Sequence, residues 1–255
     1  MTADIRLIEC LTDNYGLLVH DPQTGATVAI DAPEAEPIIE VLEAKGWRLT
    51  DILVTHHHPD HTGAIPELKA RYDCRVVASR TEASKVPGVD QTVGEGDEVR
   101  VGALVACVIE TPGHTLGHVA YWFRELDAVF VGDTLFSIGC GRVFEGSYAG
   151  MWESLLKLRA LPDATRIYCA HEYTEANIRF ARAIEPDNAA LAARAEEVAG
   201  LRAAGKPTVP STIAAEKRAN PFLRADTPEV AAALGMTGKP AVEIFTEIRE
   251  RKNRA

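Results

Sequence analysis

The chain has 255 residues, 46% of them hydrophobic and 25% charged, with a formal net charge of −10. Such proportions describe an ordinary globular protein, long enough for one large domain or two smaller ones with a sizeable core. The acidic balance excludes broad binding to nucleic acid or to an anionic membrane surface, while leaving room for a local basic pocket.

The opening Met1-Thr2-Ala3-Asp4 lacks a basic n-region and a long apolar run, so a cytoplasmic protein without an export signal is expected. No stretch approaches a membrane span. Ile5 to Glu9, Tyr15 to His20 and Thr27 to Asp31 read as strands separated by turn residues, an antiparallel start. Pro37 to Lys45 has helical spacing and Gly46 ends it. Ile52-Leu53-Val54 reads as a short buried strand. It runs into Thr-His-His-His-Pro-Asp-His-Thr-Gly at residues 55–63, the richest run of metal-ligand residue types in the chain. An extended chain alternates faces, so His56, His58 and Asp60 should point one way, with Pro59 keeping His58 out of the helical region. His61 should turn to a second position as a helix opens, over about Ala64 to Arg71. His57 faces away.

Further along, Arg75 to Ala78 is a strand and Val86 to Gly96 reads as loop. Glu98 to Val101 and Leu104 to Glu110 are strands bent apart at Gly102. Val119 to Phe123, Ala128 to Val131 and Arg166 to Cys169 are further strands, and Met151 to Ala160 is a helix. After Tyr173 strand signals nearly vanish. Thr174 to Arg182, Asn188 to Ala204, Thr212 to Arg218, Thr227 to Ala233 and Pro240 to Arg251 read as helices, with Pro240 acceptable in a first turn. The expected organisation is therefore a domain over 1–173 and a helical one over 174–255. The five cysteines are scattered, with no Cys-x-x-Cys, and read as reduced thiols.

One regularity organises the chemistry. His114, Asp133 and His171 each follow the end of an apolar strand, as the His56 to His61 run does. Loops at strand ends are where rigid scaffolds build sites. One cation fits His56, His58 and His114; a second fits Asp60, His61 and His171; the two carboxylate oxygens of Asp133 suit a bridge. A polar loop with solvated histidines would not be expected to repeat at four strand ends. His118 and His57 are expected to orient their neighbours.

The His56-x-His58-x-Asp60-His61 pattern with His114, Asp133 and His171 resembles the metallo-β-lactamase superfamily. Asn14-Tyr15, Thr111-Pro-Gly-His-Thr115, Gly132-Asp-Thr-Leu-Phe136, Gly139-Cys-Gly-Arg142, Glu145-Gly146, His171-Glu-Tyr-Thr174 and Asn220-Pro-Phe222 narrow the resemblance to the hydroxyacylglutathione hydrolase (glyoxalase II) family, over essentially the whole chain. The resemblance implies an α/β (α+β) fold, an αββα sandwich with a C-terminal helical domain. It implies hydrolysis of S-D-lactoylglutathione to glutathione and D-lactate by a hydroxide between two divalent metals. Zinc is the first expectation, with iron or manganese as alternatives. Asp60 and Asp133 are the catalytic carboxylates, Asp60 as a ligand in preference to a general base. Arg142, Phe144 and Tyr173 are matched to glutathione contacts, and Arg249 and Lys252 to the basic pair that meets the glycine carboxylate. Phe144 departs from the pattern, standing where many members carry a tyrosine. The expected partner is a small glutathione thioester, with no nucleic acid, no membrane, and a monomer favoured over an oligomer. A one-iron persulfide dioxygenase of the same superfamily needs fewer ligands, and a nuclease conflicts with the net charge.

Overall fold

A computed structural model describes residues 3–255; Met1 and Thr2, part of the stretch read for an export signal, lie outside the described residues. The chain forms two compact units, Met1–Glu110 with Leu116–Gly132, and Thr111–Thr115 with Asp133–Ala255.

In the first unit, β1 (Asp4–Cys10), β2 (Asn14–His20) and β3 (Thr27–Ile30) form an antiparallel meander. After α1 (Ala35–Lys45) the chain changes mode: β4 (Asp51–Leu53), β5 (Arg75–Ser79) and β6 (Gln91–Val93) add in parallel, in the order β1 to β6. Parallel pairing needs long crossovers. These are α1 and, between β4 and β5, α2 (Pro59–Thr62) with α3 (Ile65–Tyr72). Ile38, Ile39 and Leu42 of α1 and Ile65 and Leu68 of α3 pack on Leu18, Ala29, Ile52, Val54, Val76 and Ala78 of the sheet. The alternate residues Leu53 and Val77 are just as inaccessible. Both faces are covered, which is why these strands read as continuous apolar runs rather than alternating ones.

The other strands of this unit are β7 (Glu98–Val101), β8 (Leu104–Glu110), β9 (Val119–Phe123) and β10 (Ala128–Gly132), each antiparallel to the next. They are tied to the first sheet at the end that carries the His56 to His61 run. The Tyr121 hydroxyl donates to the Val54 carbonyl at 2.9 Å, and the Val119 amide donates to the Thr55 carbonyl at 2.9 Å.

The second unit holds a small hairpin of β11 (Leu135–Phe136) and β12 (Gly139–Cys140), then α4 (Tyr148–Arg159) and β13 (Arg166–Cys169). Next come α5 (Thr174–Ile184), α6 (Ala189–Ala203), β14 (Ser211–Thr212), which pairs antiparallel with β13, and α7 (Ile213–Ala219). The last elements are α8 (Pro228–Ala233) and α9 (Ala241–Arg254). Side-chain oxygens of Ser147, Asn188, Thr212 and Thr227 cap α4, α6, α7 and α8 by accepting first-turn amides. Ile138, Ile178, Ala181, Leu191, Val198 and Ala219 form the helical core. A run of aromatic contacts, Phe180 to Phe222 to Phe245 to Trp152, links α5, the Pro221–Leu223 turn, α9 and α4.

Four readings need correction. The extended row ends at His58, because Pro59 starts a helical turn that carries Asp60 and His61; proline is favoured at that first position and its predecessor stays extended, His58 at φ −60° and ψ 147°. The segment read as loop over 86–96 contains β6, which pairs with β5. The β11–β12 hairpin escaped detection because each strand is two residues long. Pro240 caps α9 from outside instead of entering its first turn.

Candidate active site

In the first unit the His56 to His61 run leaves β4 at Thr55. That residue is pinned by a buried carboxylate. Asp31, just past β3, accepts the Thr55 amide at 2.7 Å, the Thr55 hydroxyl at 2.8 Å and His61 Nδ1 at 2.8 Å. An ionised carboxylate only accepts, so His61 carries its proton on Nδ1 and has its lone pair on Nε2. The same reasoning reaches His56. Thr55 has one hydroxyl proton and gives it to Asp31, so its oxygen accepts from His56 Nδ1 at 3.1 Å. His56 Nε2 therefore also presents a lone pair, 2.9 Å from His58 Nδ1. His61 Nε2 lies 3.6 Å from Asp60 Oδ2.

Several neighbours hold this arrangement. Asn14 donates to the backbone oxygen of Asp60 at 3.2 Å and to its Oδ2 at 3.1 Å. Glu82 accepts the amides of His57 and Gly117 at 2.9 and 2.8 Å and meets His57 Nδ1 at 2.9 Å. His57 is thereby turned from the row, as its place in the alternation predicts. His118, fully buried, stacks on His56 with ring centres 4.9 Å apart. Gly132 leaves β10 at φ +46°, and a Cβ there would meet Thr55 Oγ1 at 2.5 Å and His118 Nε2 at 2.7 Å. Only glycine fits that turn into Asp133.

In the second unit His114, Asp133 and His171 come together. His114 Nδ1 faces the Arg142 carbonyl at 2.8 Å, an acceptor, so this imidazole too has its lone pair on Nε2. That nitrogen is 3.5 Å from Asp133 Oδ2, while His171 Nε2 is 3.4 Å from Asp133 Oδ1. One carboxylate thus addresses two imidazoles with different oxygens. Donor atoms at tetrahedral corners about 2.0–2.2 Å from one zinc stand about 3.3–3.6 Å apart. The 3.6 Å between His61 and Asp60 and the 3.5 and 3.4 Å from Asp133 to His114 and His171 match that spacing, and the donor types suit divalent cations; the 2.9 Å between His56 and His58 is a hydrogen-bond spacing.

The expected substrate residues sit on the second unit. Phe144 is 59% exposed, lies edge-on to His114 at 5.2 Å and carries the Arg142 guanidinium over its ring at 5.3 Å. The Tyr173 ring stacks on His171 with ring centres 4.7 Å apart and planes 5° from parallel. Arg249 and Lys252 share a face of α9, and neither is a solvated helix end. Arg249 is 6% exposed, donates to the Cys140 carbonyl at 2.8 Å and lies over Phe222. Lys252 donates to the Ala176 carbonyl at 3.2 Å and lies over Phe180. Burial, then the nearby Arg249 and Arg179 charges, push the Lys252 ammonium below its usual range.

Asp31, Glu82 and Asn14 are the neighbours that hold the His56 to His61 run, and the sequence motifs alone assign none of them that place. Asp31 was detectable: it ends an apolar strand, the same signal that marks His114, Asp133 and His171.

All five cysteines are buried free thiols. Among the described residues no helix is long and apolar enough to cross a membrane.

The metallo-β-lactamase superfamily model matches residues 16–171, and the model for the hydroxyacylglutathione hydrolase C-terminus matches residues 172–255. The chain is similar to a hydroxyacylglutathione hydrolase of Nitrobacter winogradskyi, 62% identical over 100% of both chains. It is 64% identical to one from Rhodopseudomonas palustris over 99% of both chains. Among solved structures it is similar to ETHE1 from Myxococcus xanthus, with a TM-score of 0.71 and 30% identity over 98% of this chain and 91% of that one. The fold is thus the αββα metallo-β-lactamase type with a C-terminal helical region, as its motifs imply. This chain belongs to the hydroxyacylglutathione hydrolase family of the metallo-β-lactamase superfamily, and it is a hydrolase.

Proposed function

We propose that the chain is a dinuclear metal thioesterase that hydrolyses S-(2-hydroxyacyl)glutathione, chiefly S-D-lactoylglutathione, to glutathione and D-lactate. The observation that carries the metal part is the set of contacts made by the Nδ1 atoms of three imidazoles. Asp31, Thr55 and the Arg142 carbonyl occupy the Nδ1 protons of His61, His56 and His114, leaving each Nε2 as a ligand atom. The substrate class is supported by the hydroxyacylglutathione hydrolases that the chain matches over its whole length.

In this reading His56, His58 and His114 hold one cation, and Asp60, His61 and His171 hold the other. Asp133 serves both, an assignment supported by its two oxygens addressing different histidines. Zinc is the first choice, with iron or manganese as alternatives. When bound, the two cations supply an acidified water and an electrophile for the thioester carbonyl. The protein's part is placement. Arg142 and the Phe144 and Tyr173 rings flank the glutathione. Arg249 and Lys252 match its glycine carboxylate; partial burial strengthens a cation's hold on an anion that displaces its water. A thiolate departs without a dedicated proton donor. Functionally the chain divides near Tyr173, with ligands in 1–173 and the carboxylate-binding pair in 174–255. We further place the enzyme in the cytoplasm as a monomer.

The test is the loss of thioester absorbance from S-D-lactoylglutathione by native and chelator-stripped protein. Turnover by the native protein, lost on stripping and restored by zinc, is expected. Turnover that survives complete metal removal would sink the proposal.

A further inference from the structure

Between Asp133 and Arg142 the chain makes the β11–β12 hairpin, and the tip of that hairpin is caged by side chains from three helices. Ile138, at the tip, has φ +58°. That region is poor for any residue with a Cβ and worst for a β-branched one, so it persists only where surroundings over-determine it. The cage is explicit. Glu216 of α7, fully buried, accepts the Ile138 amide at 2.8 Å. Asn220 donates to the Gly139 carbonyl at 3.0 Å and the Phe136 carbonyl at 3.4 Å. Asn177 of α5 donates to the Ser137 carbonyl at 3.1 Å, and Arg194 of α6 to the Ser137 hydroxyl at 3.3 Å. Glu216 also binds the cage together, accepting from Asn220 at 2.9 Å and from the Ser211 hydroxyl at 2.5 Å.

The other end of the hairpin is equally tight. The Gly141 amide donates to the Thr134 carbonyl at 3.1 Å, and a Cβ on Gly141 would fall 1.8 Å from the Asp133 carbonyl oxygen. The two chain segments leaving this neck bear Asp133 on one side and the Arg142 carbonyl, which faces His114 Nδ1, on the other.

We propose that Glu216 is a positioning residue for the hydrolytic site: by fixing the hairpin tip from within the helical region, it sets where the neck presents Asp133 and the Arg142 carbonyl. This rests on the proposed roles of Asp133, His114 and Arg142. Glu216 touches no reacting group. Its carboxylate is buried because a backbone amide in an unfavourable conformation, a hydroxyl and an amide side chain all need one acceptor at one point. Glutamine at this position keeps one oxygen for Ile138 and Asn220 and offers its amide to the Ser211 hydroxyl. Leucine keeps the volume and removes every acceptor.

The test compares Glu216→Gln, Glu216→Leu and Asn177→Ala in full-length, metal-loaded protein. Thioester kcat and KM are measured per bound metal, and the visible d–d bands of the cobalt-substituted forms are recorded. A displacement at the neck predicts a fall in kcat/KM of about tenfold to a hundredfold in Glu216→Leu. It also predicts a smaller fall in Asn177→Ala, altered cobalt bands in both, and near-native values in Glu216→Gln. A lower melting temperature with unchanged cobalt bands, kcat and KM overturns the proposal and leaves Glu216 as a stability residue only. If Glu216→Leu does not fold, Asn177→Ala decides by the same readouts. If the wild type fails to hydrolyse the thioester, the functional reading fails, and the cobalt bands alone decide the positioning role.

Discussion

Asp31→Asn perturbs the site without changing its shape. One oxygen still accepts the Thr55 amide, now held at 2.7 Å. The amide nitrogen then occupies the place where the second oxygen accepts the Thr55 hydroxyl and His61 Nδ1, both at 2.8 Å. A donor now faces a donor. His61 is forced to move its proton from Nδ1 to Nε2, and Thr55, with no acceptor at Asp31, gives its proton to His56 Nδ1 instead. Both imidazoles lose the Nε2 lone pair. Losing the partner that orients a ligating histidine costs about 10–100-fold in metal affinity, which is about 1.4–2.7 kcal/mol. Two charge-assisted hydrogen bonds weaken as well, so the metal-free fold should lose about 1–3 kcal/mol. Chelator competition reads the first quantity and denaturant unfolding the second. Nitrogen NMR of the imidazoles reads the tautomers directly, with Nδ1–H in the wild type and Nε2–H in the variant. Unchanged metal affinity, or the same His61 tautomer in both proteins, refutes the reasoning.

Asp133→Ala should abolish hydrolysis and reduce bound metal, since its two oxygens face His114 and His171, the histidines proposed as ligands; full activity with full metal content contradicts its proposed bridging place. Phe144→Tyr should lower KM with kcat nearly unchanged, because a hydroxyl is added at an exposed ring beside Arg142; steady-state kinetics with the glutathione thioester checks this. Lys252→Ala should raise KM more than it lowers kcat, by roughly the loss of one charge-assisted hydrogen bond, about 1.5–3 kcal/mol. Burial pushes the thiols of Cys10 and Cys140 up to about 11 and that of Cys169 up to about 12. Their folded values lie above the unfolded one, so their contribution to stability is complete below about pH 8.5 and is lost as pH rises toward the folded values, at about 1.4 kcal/mol per pH unit per thiol. Denaturation midpoints from pH 8 to 11 should fall accordingly, and thiol reagents at pH 8 should label the cysteines only on unfolding. Rapid labelling of the native protein contradicts this burial.

Much of the fold was legible because local signals and burial agree. Ile52-Leu53-Val54, Val76-Val77-Ala78 and the β10 run are apolar throughout and fully buried, and α6, α7 and α8 carry their own side-chain caps. What escaped was short or non-local. Gln91-Thr92-Val93 is three residues of strand between turn residues, and its identity depends on β5 beside it. The hairpin tip at Ile138 adopts a conformation no isoleucine prefers, held by Glu216, 78 residues away in sequence. Pro59 has two opposite effects, keeping His58 extended and beginning a helical turn itself, and the second takes Asp60 out of the extended row. The histidines and Asp133 could be read as a set because each ends a strand. The pairings that fix their tautomers could not, even though Asp31 itself ends a strand: Asp31 reaches His61 across 30 positions, and the carbonyl of Arg142 reaches His114 across 28. Such partners become visible only once strands are side by side.

The most direct test of the central claim is a zinc titration of metal-free protein, with S-D-lactoylglutathione hydrolysis followed at each addition. Activity should rise and saturate at about two equivalents per chain, the stoichiometry of a two-metal site. Saturation at one equivalent contradicts the dinuclear site. Two bound equivalents with no hydrolysis of this thioester contradict the substrate.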